Sequence, residues 1–275
     1  MELKKGSIYT PRSGKKGPVK FVCICAHPDD CEIMAIDGIQ RGYRASKYTF
    51  TCVVTTDGAD AERAGRYIKM EDKRMVNIMM NEQKKAANIG RYHSVYFMNY
   101  TSEETRDQEN EDIVNEYVEI IKELKPRVIY THSILDRHPT HVAVAIKVIN
   151  AIRTMKKGDQ PKVLYGCESE RNLDWLDPAK VVTFDVSKNM RLQRQLIACH
   201  KSSNASRDYI NACIGRRLVN AVFNRDEKKK TAKLTTKAIN MTTLLRRKEF
   251  PIKRYAMSFV DDLYTEINDM MDRTL

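Results

Sequence analysis

Two short stretches of the chain concentrate histidine and aspartate side chains that could bind a metal ion or transfer protons. They are residues 27–30 (HPDD) and residues 132–141 (HSILDRHPTH). Each contains two potential ligands spaced three residues apart, so both can face one point on a tight turn or helix start. A catalytic zinc ion commonly takes three such ligands and keeps one position for water. The side chains concerned are His27, Asp29, Asp30, His132, Asp136, His138 and His141.

Both stretches follow apolar, β-branched runs that predict buried strands, at residues 19–26 (VKFVCICA) and 127–131 (RVIYT). Active sites of open parallel sheets form at the carboxyl ends of strands. An H-x-x-D or H-x-x-H pair is common by chance, and a structural or exposed histidine is the simpler interpretation of either pair alone. Two such pairs at strand ends of one sheet favour a metal site.

The elements that would position these residues alternate along the chain. Further strands are predicted at residues 48–55, 94–98, 162–166 and 181–184, and helices at 31–44, 71–89, 112–124 and 142–155. Strand–helix alternation predicts an α/β, Rossmann-like fold whose mostly parallel sheet has helices on both faces. From residue 188 the pattern becomes mainly helical, with helices at 190–200, 208–223 and 258–271 and an exposed charged loop or frayed helix at 225–237.

We expect three parts in the chain. Residues 1–18 form a basic N-terminal segment, residues 19–205 an α/β catalytic domain, and residues 206–275 a basic, mainly helical C-terminal extension packed on the same domain. The net charge of +12 is uneven: residues 1–20 carry +5, residues 21–187 carry −3 and residues 188–275 carry +10. Such an excess can attract anionic ligands, although a solvated basic surface is the simpler interpretation.

Composition excludes several classes of protein. The 275 residues are 42% hydrophobic and 31% charged, with 11 Gly and 8 Pro, which is typical of a globular protein and not of a collagenous or low-complexity chain. No apolar run reaches the ~18 residues of a membrane helix, and no apolar stretch follows the N-terminal lysines as in a secretory signal. The seven cysteines are odd in number and scattered without a C-x-x-C pair, which predicts free thiols and a cytoplasmic location.

The two metal-site stretches, AHPDD and the later D-x-H-P-x-H, resemble the PIG-L/LmbE-like family of zinc-dependent N-deacetylases, which includes N-acetylglucosaminyl deacetylases. Other segments are similar as well. They are Thr56-Asp57-Gly58 after the second strand, the E-x-x-x-A-A-x-x-G helix that starts at Glu82, and the D-V-S and H-K-S segments at residues 185–187 and 200–202. The resemblance covers about residues 19–205.

The resemblance implies a role for each matching residue. His27, Asp30 and His141 would bind Zn²⁺, or Fe²⁺ or another divalent ion, and Asp29 would be the general base. His138 would stabilise the oxyanion. Asp136 and His132 are weaker candidates for supporting roles, and a purely structural role for His132 stays open.

Three positions depart from the family's usual pattern. The family often has Arg, Asp and Asp where this chain has Met79, Ser102 and Thr140. In the family the Arg and the first Asp help to hold the substrate, so the resemblance implies that the positions that hold the sugar are changed. Residues 164–176 contain Trp175 and Arg171, which are weak candidates for substrate binding. A packing tryptophan is the simpler interpretation of Trp175.

The function expected from the resemblance is hydrolysis of an N-acetyl group on an amino sugar or a related small glycoside. An anionic substrate and a homo-oligomer are both compatible with this expectation. One alternative is a basic protein that binds nucleic acid or another anion on a Rossmann-like scaffold, although no nucleic-acid motif is visible. Another is a metal hydrolase of a different amide or an ester. A nucleotide-cofactor enzyme is disfavoured, because the first strand ends in HPDD and not in a glycine-rich turn.

Overall fold

Eight strands form one sheet in the computed structural model, which describes residues 1–223 and 231–275. The strands are β1 (Ser7–Tyr9), β2 (Val19–Cys25), β3 (Thr49–Thr56), β4 (Ser94–Tyr100), β5 (Val128–His132), β6 (Val163–Cys167), β7 (Val181–Asp185) and β8 (Thr235–Asn240). Their order across the sheet is β1-β4-β3-β2-β5-β6-β8-β7.

The five central strands, from β4 to β6, run parallel, and antiparallel pairing occurs between β1 and β4, β6 and β8, and β7 and β8. The chain winds from β2 outward through β3 and β4 on one side, and through β5 and β6 on the other. β2 and β5 therefore flank the point at which the strand order reverses, the position where open α/β sheets bind ligands.

Helices cover both faces of the sheet. They are α1 (Asp30–Met34), α2 (Ile36–Arg44), α3 (Asp72–Gly90), α4 (Ser102–Arg106), α5 (Glu111–Leu124), α6 (Pro139–Thr154), α7 (Met190–Ile197), α8 (Lys201–Ser206), α9 (Tyr209–Phe223), α10 (Thr242–Arg246) and α11 (Ile252–Thr274). Alternate side chains of β2 enter two separate cores. Ile24 packs in the core that includes α5 and α6, whereas Cys25 packs in the core that includes α2, α3 and α7.

The predicted α/β, Rossmann-like and mostly parallel fold is confirmed, with differences in detail. The predicted helix 31–44 is two helices that meet at Ala35. Strands β1 and β8 were not predicted. Of the predicted exposed segment 225–237, residues 225–230 lie outside the described part of the chain. Leu234 is buried just before β8, and Thr235, Thr236 and Lys237 are buried at its start, so the prediction is wrong for these four residues.

Within the described part of the chain, no helix combines the length and the apolar character of a membrane span. All seven cysteines have free thiols, and Cys199 is the single one that is not buried.

Candidate active site

The two predicted segments meet at the carboxyl ends of β2 and β5. The loop after β2 carries His27, and α1 begins at Asp30. The loop after β5 leads through His138 into α6, which begins with Pro139 and has His141 in its first turn. Proline suits this first helical position, because the N–H that it lacks would have no partner within the helix. The structure thus brings both segments to the switch point of the sheet.

The potential ligand atoms of His27, Asp30 and His141 converge. His27 Nδ1 lies 3.2 Å from Asp30 Oδ2 and 3.2 Å from His141 Nε2, and His141 Nε2 lies 3.4 Å from Asp30 Oδ1. Ligands held tetrahedrally at about 2.0–2.1 Å from a zinc ion stand roughly 3.3 Å from one another. The separations are of this size, with Asp30 facing the two histidines through different carboxylate oxygens, so the three side chains could hold one divalent cation.

His141 also belongs to two overlapping sets of possible ligands. The first set is His141 with His27 and His138, and the second is His141 with Asp30 and His132. Within each set the potential ligand atoms lie within 4.8 Å of one another. His141 is common to every set, which makes it the centre of the cluster.

His132 is already engaged in a backbone contact. Its Nε2 accepts the N–H of Ala26 at 2.9 Å, and its ring stacks on His141 with 3.8 Å between the centroids. Burial, and next the positive charge of His141, lower the pKa of His132 to about 4, so the ring is neutral. Because the Nε2 lone pair is used by Ala26, His132 packs behind the ligand set.

Asp136 holds the second segment in shape. Its Oδ1 accepts the N–H groups of Arg137 at 2.6 Å and His138 at 3.2 Å, and its Oδ2 accepts the N–H of Glu170 at 3.2 Å. Oδ2 also lies 3.4 Å from His141 Nδ1. Although burial raises the pKa of Asp136, the hydrogen bond and charge of His141 lower it below its usual value. A carboxylate on Nδ1 leaves the His141 Nε2 lone pair directed at the other ligands.

Asp29 lies beside the ligands in a strained backbone conformation. Its φ of 104° is in the left-handed region that non-glycine residues rarely adopt, and such strain is often found at functional sites. The Asp29 N–H donates to Gln83 Oε1 at 3.1 Å. Burial, and next the negative charge of Asp30, raise the pKa of Asp29 to about 7. A carboxyl group with this pKa can exchange a proton near neutral pH.

A buried polar network supports Asp29 from behind. Gln83 Nε2 donates to Glu32 Oε1 at 2.9 Å, Tyr92 donates its hydroxyl to the same oxygen at 2.6 Å, and His200 Nε2 lies 3.1 Å from Glu32 Oε2. No sequence pattern marks this network, since its members lie far apart in the chain and none belongs to a local motif of ligands.

Two of the segments that support the family resemblance contact each other. Glu82 of α3 accepts the backbone N–H of Ser202 at 3.2 Å and its hydroxyl at 2.5 Å. These contacts fix the start of α8 against α3, next to the wall of the site.

His138 stands at the edge of the ligand cluster. Its ring centroid lies 4.4 Å from that of His141 and 4.9 Å from that of His27. Burial, and next the charges of His141 and His27, lower the pKa of His138 to about 4. Its buried Nδ1 has no partner among the described residues. His138 is therefore a neutral ring with one hydrogen to donate.

A cavity of about 610 Å³ opens over these residues, within the usual range for a small-molecule site. Helices α8 and α9 supply much of its wall. Its charged lining is mixed, with four arginines and, apart from Asp29 and Asp30, five carboxylates among the described residues. They are Arg137, Arg207, Arg216 and Arg217, and Asp60, Glu62, Glu168, Glu170 and Asp208. The cavity itself thus has no positive excess.

The three departures from the family pattern lie in different surroundings. Met79 lines the cavity and packs against Gly58, whose φ is +76° and whose added Cβ would lie 3.0 Å from Met79 Sδ. Thr140 is buried, and its hydroxyl accepts from Arg106 at 3.2 Å. Ser102 is buried at the first position of α4. Met79 is thus the one of the three that can contact a ligand in the cavity.

The weak substrate-binding candidates are placed elsewhere. Trp175 packs against the hydrophobic core and donates its Nε1–H to the carbonyl of Asn172 at 3.1 Å. Arg171 donates its backbone N–H to Asp136. Neither is among the described residues that line the cavity.

Comparison with solved structures finds the same fold. The N,N'-diacetylchitobiose deacetylase from Pyrococcus horikoshii is 15% identical with a TM-score of 0.65, over 86% of this chain and 88% of that one. GalB, the 4-carboxy-2-hydroxymuconate hydratase from Pseudomonas putida KT2440, is 17% identical with a TM-score of 0.64, over 81% and 95%. The zinc-inhibited form of teicoplanin deacetylase Orf2 is 10% identical with a TM-score of 0.58, over 81% and 98%.

A search of curated proteins finds no match. The profile of a family described as PIG-L, GlcNAc-PI de-N-acetylase, matches residues 22–152. This range begins in β2 and ends in α6, so it includes both segments of the candidate metal site. Residues 22–152 are therefore similar to the PIG-L family over the part of the chain that holds the candidate site.

Proposed function

We propose that the protein is a metal-dependent hydrolase that removes an N-acetyl group from an amino sugar or a related small glycoside. The convergence of His27, Asp30 and His141 beside Asp29, within the region similar to the PIG-L family, carries this proposal. The family is described as a de-N-acetylase, and two of the similar structures are deacetylases of diacetylchitobiose and teicoplanin.

Asp29 acts as the base in this proposal. A divalent ion at the three ligands would supply Lewis acidity to the amide carbonyl and would acidify the attacking water. Asp29 takes the proton of that water and returns it to the leaving amine, which its pKa near neutrality permits. Gln83 holds Asp29 in place through the backbone N–H.

His138 supports the developing negative charge. As a neutral ring at the edge of the cluster, it donates its hydrogen to the carbonyl oxygen as that oxygen becomes an oxyanion. Asp136 holds His138 through its backbone N–H and aligns His141 through Nδ1.

Zn²⁺ is the ion that we propose, with Fe²⁺ as the alternative, because two imidazoles and one carboxylate suit both. The free and mostly buried thiols support a cytoplasmic location.

A hydrolase or hydratase that acts on a different substrate is the second candidate. GalB has a similar fold and is a hydratase, and Met79 lines the cavity where the family often has arginine. These observations bear on the substrate and leave the proposed ligand set unchanged.

Elemental analysis and a substrate screen test the proposal together. Protein purified without chelator should contain about one divalent ion per chain, and should release acetate from some N-acetylated amino sugars or glycosides. If the metal content stays unchanged in an Asp30→Ala, His141→Ala double variant, these residues do not bind the metal and the proposed site is wrong. A metal-loaded protein that hydrates or cleaves other substrates, and releases no acetate, would favour the second candidate.

A further inference from the structure

Helix α11 exposes an apolar stripe along most of its length. One of its faces packs on the domain, through Ile252, Tyr255, Ala256 and Phe259, and Phe259 is the one buried residue of the helix. The neighbouring face, about 110° around the helix, carries large apolar side chains that are 42–69% exposed. They are Met257, Val260, Tyr264, Ile267 and Met271.

The spacing of this α11 stripe is that of a coiled-coil seam. Its five residues follow one another at intervals of three, four, three and four, which keeps them on one side of a helix over two heptads. The 23 residues of α11 span about 35 Å. A second helix is the element that fills such a seam, because its side chains interlock with the same repeat.

The charge of α11 changes sign along its axis. Lys253 and Arg254 lie at its start, and the basic residues 246–248 precede it. Residues 260–275 carry one basic side chain, Arg273, and five acidic ones, which are Asp261, Asp262, Glu266, Asp269 and Asp272. Lys180 pairs with Asp262, and Glu266, Asp269 and Asp272 lie beyond that contact along the helix. The helix therefore complements a copy of itself that runs in the opposite direction.

We propose that α11 pairs antiparallel with α11 of a second copy of this chain. A two-fold arrangement uses the same surface on both copies and closes with a dimer. It would bury both stripes and place the acidic end of each helix beside the basic start of the other. The acidic half of α11 argues against an anionic membrane surface as the occupant.

Sedimentation velocity over a range of concentrations tests the pairing. The full-length protein should have twice the mass of one chain at micromolar concentration. Ile267→Asp places a charge in the seam and should weaken dimerisation at least about tenfold, whereas Thr265→Asp places the same charge outside the stripe and should not. A wild-type monomer at all concentrations, or a dimer that Ile267→Asp leaves intact, would overturn the proposal.

Exchanging charges at the two ends of α11 tests whether the paired helices run antiparallel. Asp272 and Arg254 flank the stripe on the same side, so Asp272→Lys should weaken the dimer, as should Arg254→Glu, and combining both should restore it. No effect of either variant would exclude the antiparallel arrangement, since parallel helices place like ends together. Binding of the protein to phosphatidylcholine–phosphatidylglycerol vesicles that Ile267→Asp abolishes would identify a membrane as the occupant and overturn the proposal. Thermal unfolding of each variant checks that the domain is intact.

Discussion

Asp29 and Asp30 are neighbours in the chain, yet their surroundings shift the two pKa values in opposite directions. Burial and the charge of Asp30 raise the pKa of Asp29 to about 7. Burial also acts to raise the pKa of Asp30, but the charges of His141 and His132 outweigh it and lower that pKa well below its usual value. One carboxyl group is thus suited to proton transfer and the other to permanent ionisation and metal binding.

Asp29→Asn keeps the shape of the side chain and removes the base. We expect kcat to fall by ~10²–10⁴-fold while the metal stays bound, since general-base catalysis contributes about this much. Asp30→Asn is the matched comparison: it should lower metal content, and excess metal should partly restore its activity. Kinetics and elemental analysis of both variants make the measurement. Loss of metal from Asp29→Asn, or near-full activity in it, would contradict the division of roles.

Gln83 is expected to act through Asp29. Gln83→Met keeps the length of the side chain but removes the acceptor for the Asp29 N–H and the donor to Glu32. We expect kcat to fall by about tenfold or more with metal content unchanged, because one hydrogen bond that positions the base is lost. Asn81→Met, at an exposed position of the same helix, serves as the control. If Gln83→Met lowers kcat further in the Asp29→Asn background, Gln83 acts independently of Asp29.

At the scale of elements, the buried parallel strands were the most predictable part of the fold. Their continuous apolar, β-branched runs identify them without reference to the rest of the chain. The sequence of β8, TTKAIN, is polar and does not predict a buried strand. In the structure β8 lies between β6 and β7, and five of its six residues are buried. β1 has three residues and is too short to show a pattern.

The candidate site could be predicted only where its residues lie close together in the chain. His27 and Asp30, or His138 and His141, are close in the chain, so the sequence shows each pair. The Glu32 network joins α1, α3 and the start of α8 across 51–168 residues, and no single-sequence pattern links such positions. The roles of the site residues and the division at residues 18 and 205 remain proposals.

The contact between His200 and Glu32 should make stability depend on pH. Burial acts to lower the pKa of His200, but the hydrogen bond and charge of Glu32 outweigh it, so the pKa is raised. The stabilisation is therefore fully present below the unfolded-state pKa of about 6.5, and it is lost as pH rises through the folded-state pKa. The free energy of unfolding of wild type relative to His200→Gln should therefore fall as pH rises above about 6.5.

Urea denaturation at several pH values measures this difference. Glu32→Gln removes the charge that raises the pKa of His200. In that background, His200→Gln should lower the free energy of unfolding by nearly the same amount at every pH. If the free energies of unfolding of wild type and His200→Gln differ by the same amount at all pH values, the contact stabilises the protein through packing alone.

At the scale of the whole molecule, the net charge of +12 and the mixed charge of the cavity act over different distances. The described cavity lining has four arginines and seven carboxylates, whereas residues 188–275 carry +10 and give the protein a long-range positive field. We expect added salt to raise KM for an anionic substrate and to leave kcat little changed, because screening weakens capture and not chemistry. A neutral analogue is the control, and its KM should stay constant. If KM for the anionic substrate is equally insensitive to salt, the basic residues are only solvated surface.

The position of β8 also has a consequence for biosynthesis. β7 precedes β8 in the chain but reaches the sheet only through it, since β6 and β7 do not pair with each other. A chain emerging from a ribosome can therefore assemble β2 to β6 early, but must leave one edge of β6 open until about residue 240 has left the exit tunnel. Because α9 also contributes to the cavity wall, the substrate site is completed only after α9 has left the tunnel. Open strand edges invite pairing with other chains, so truncated products that stop before β8 should aggregate instead of accumulating as a smaller active enzyme.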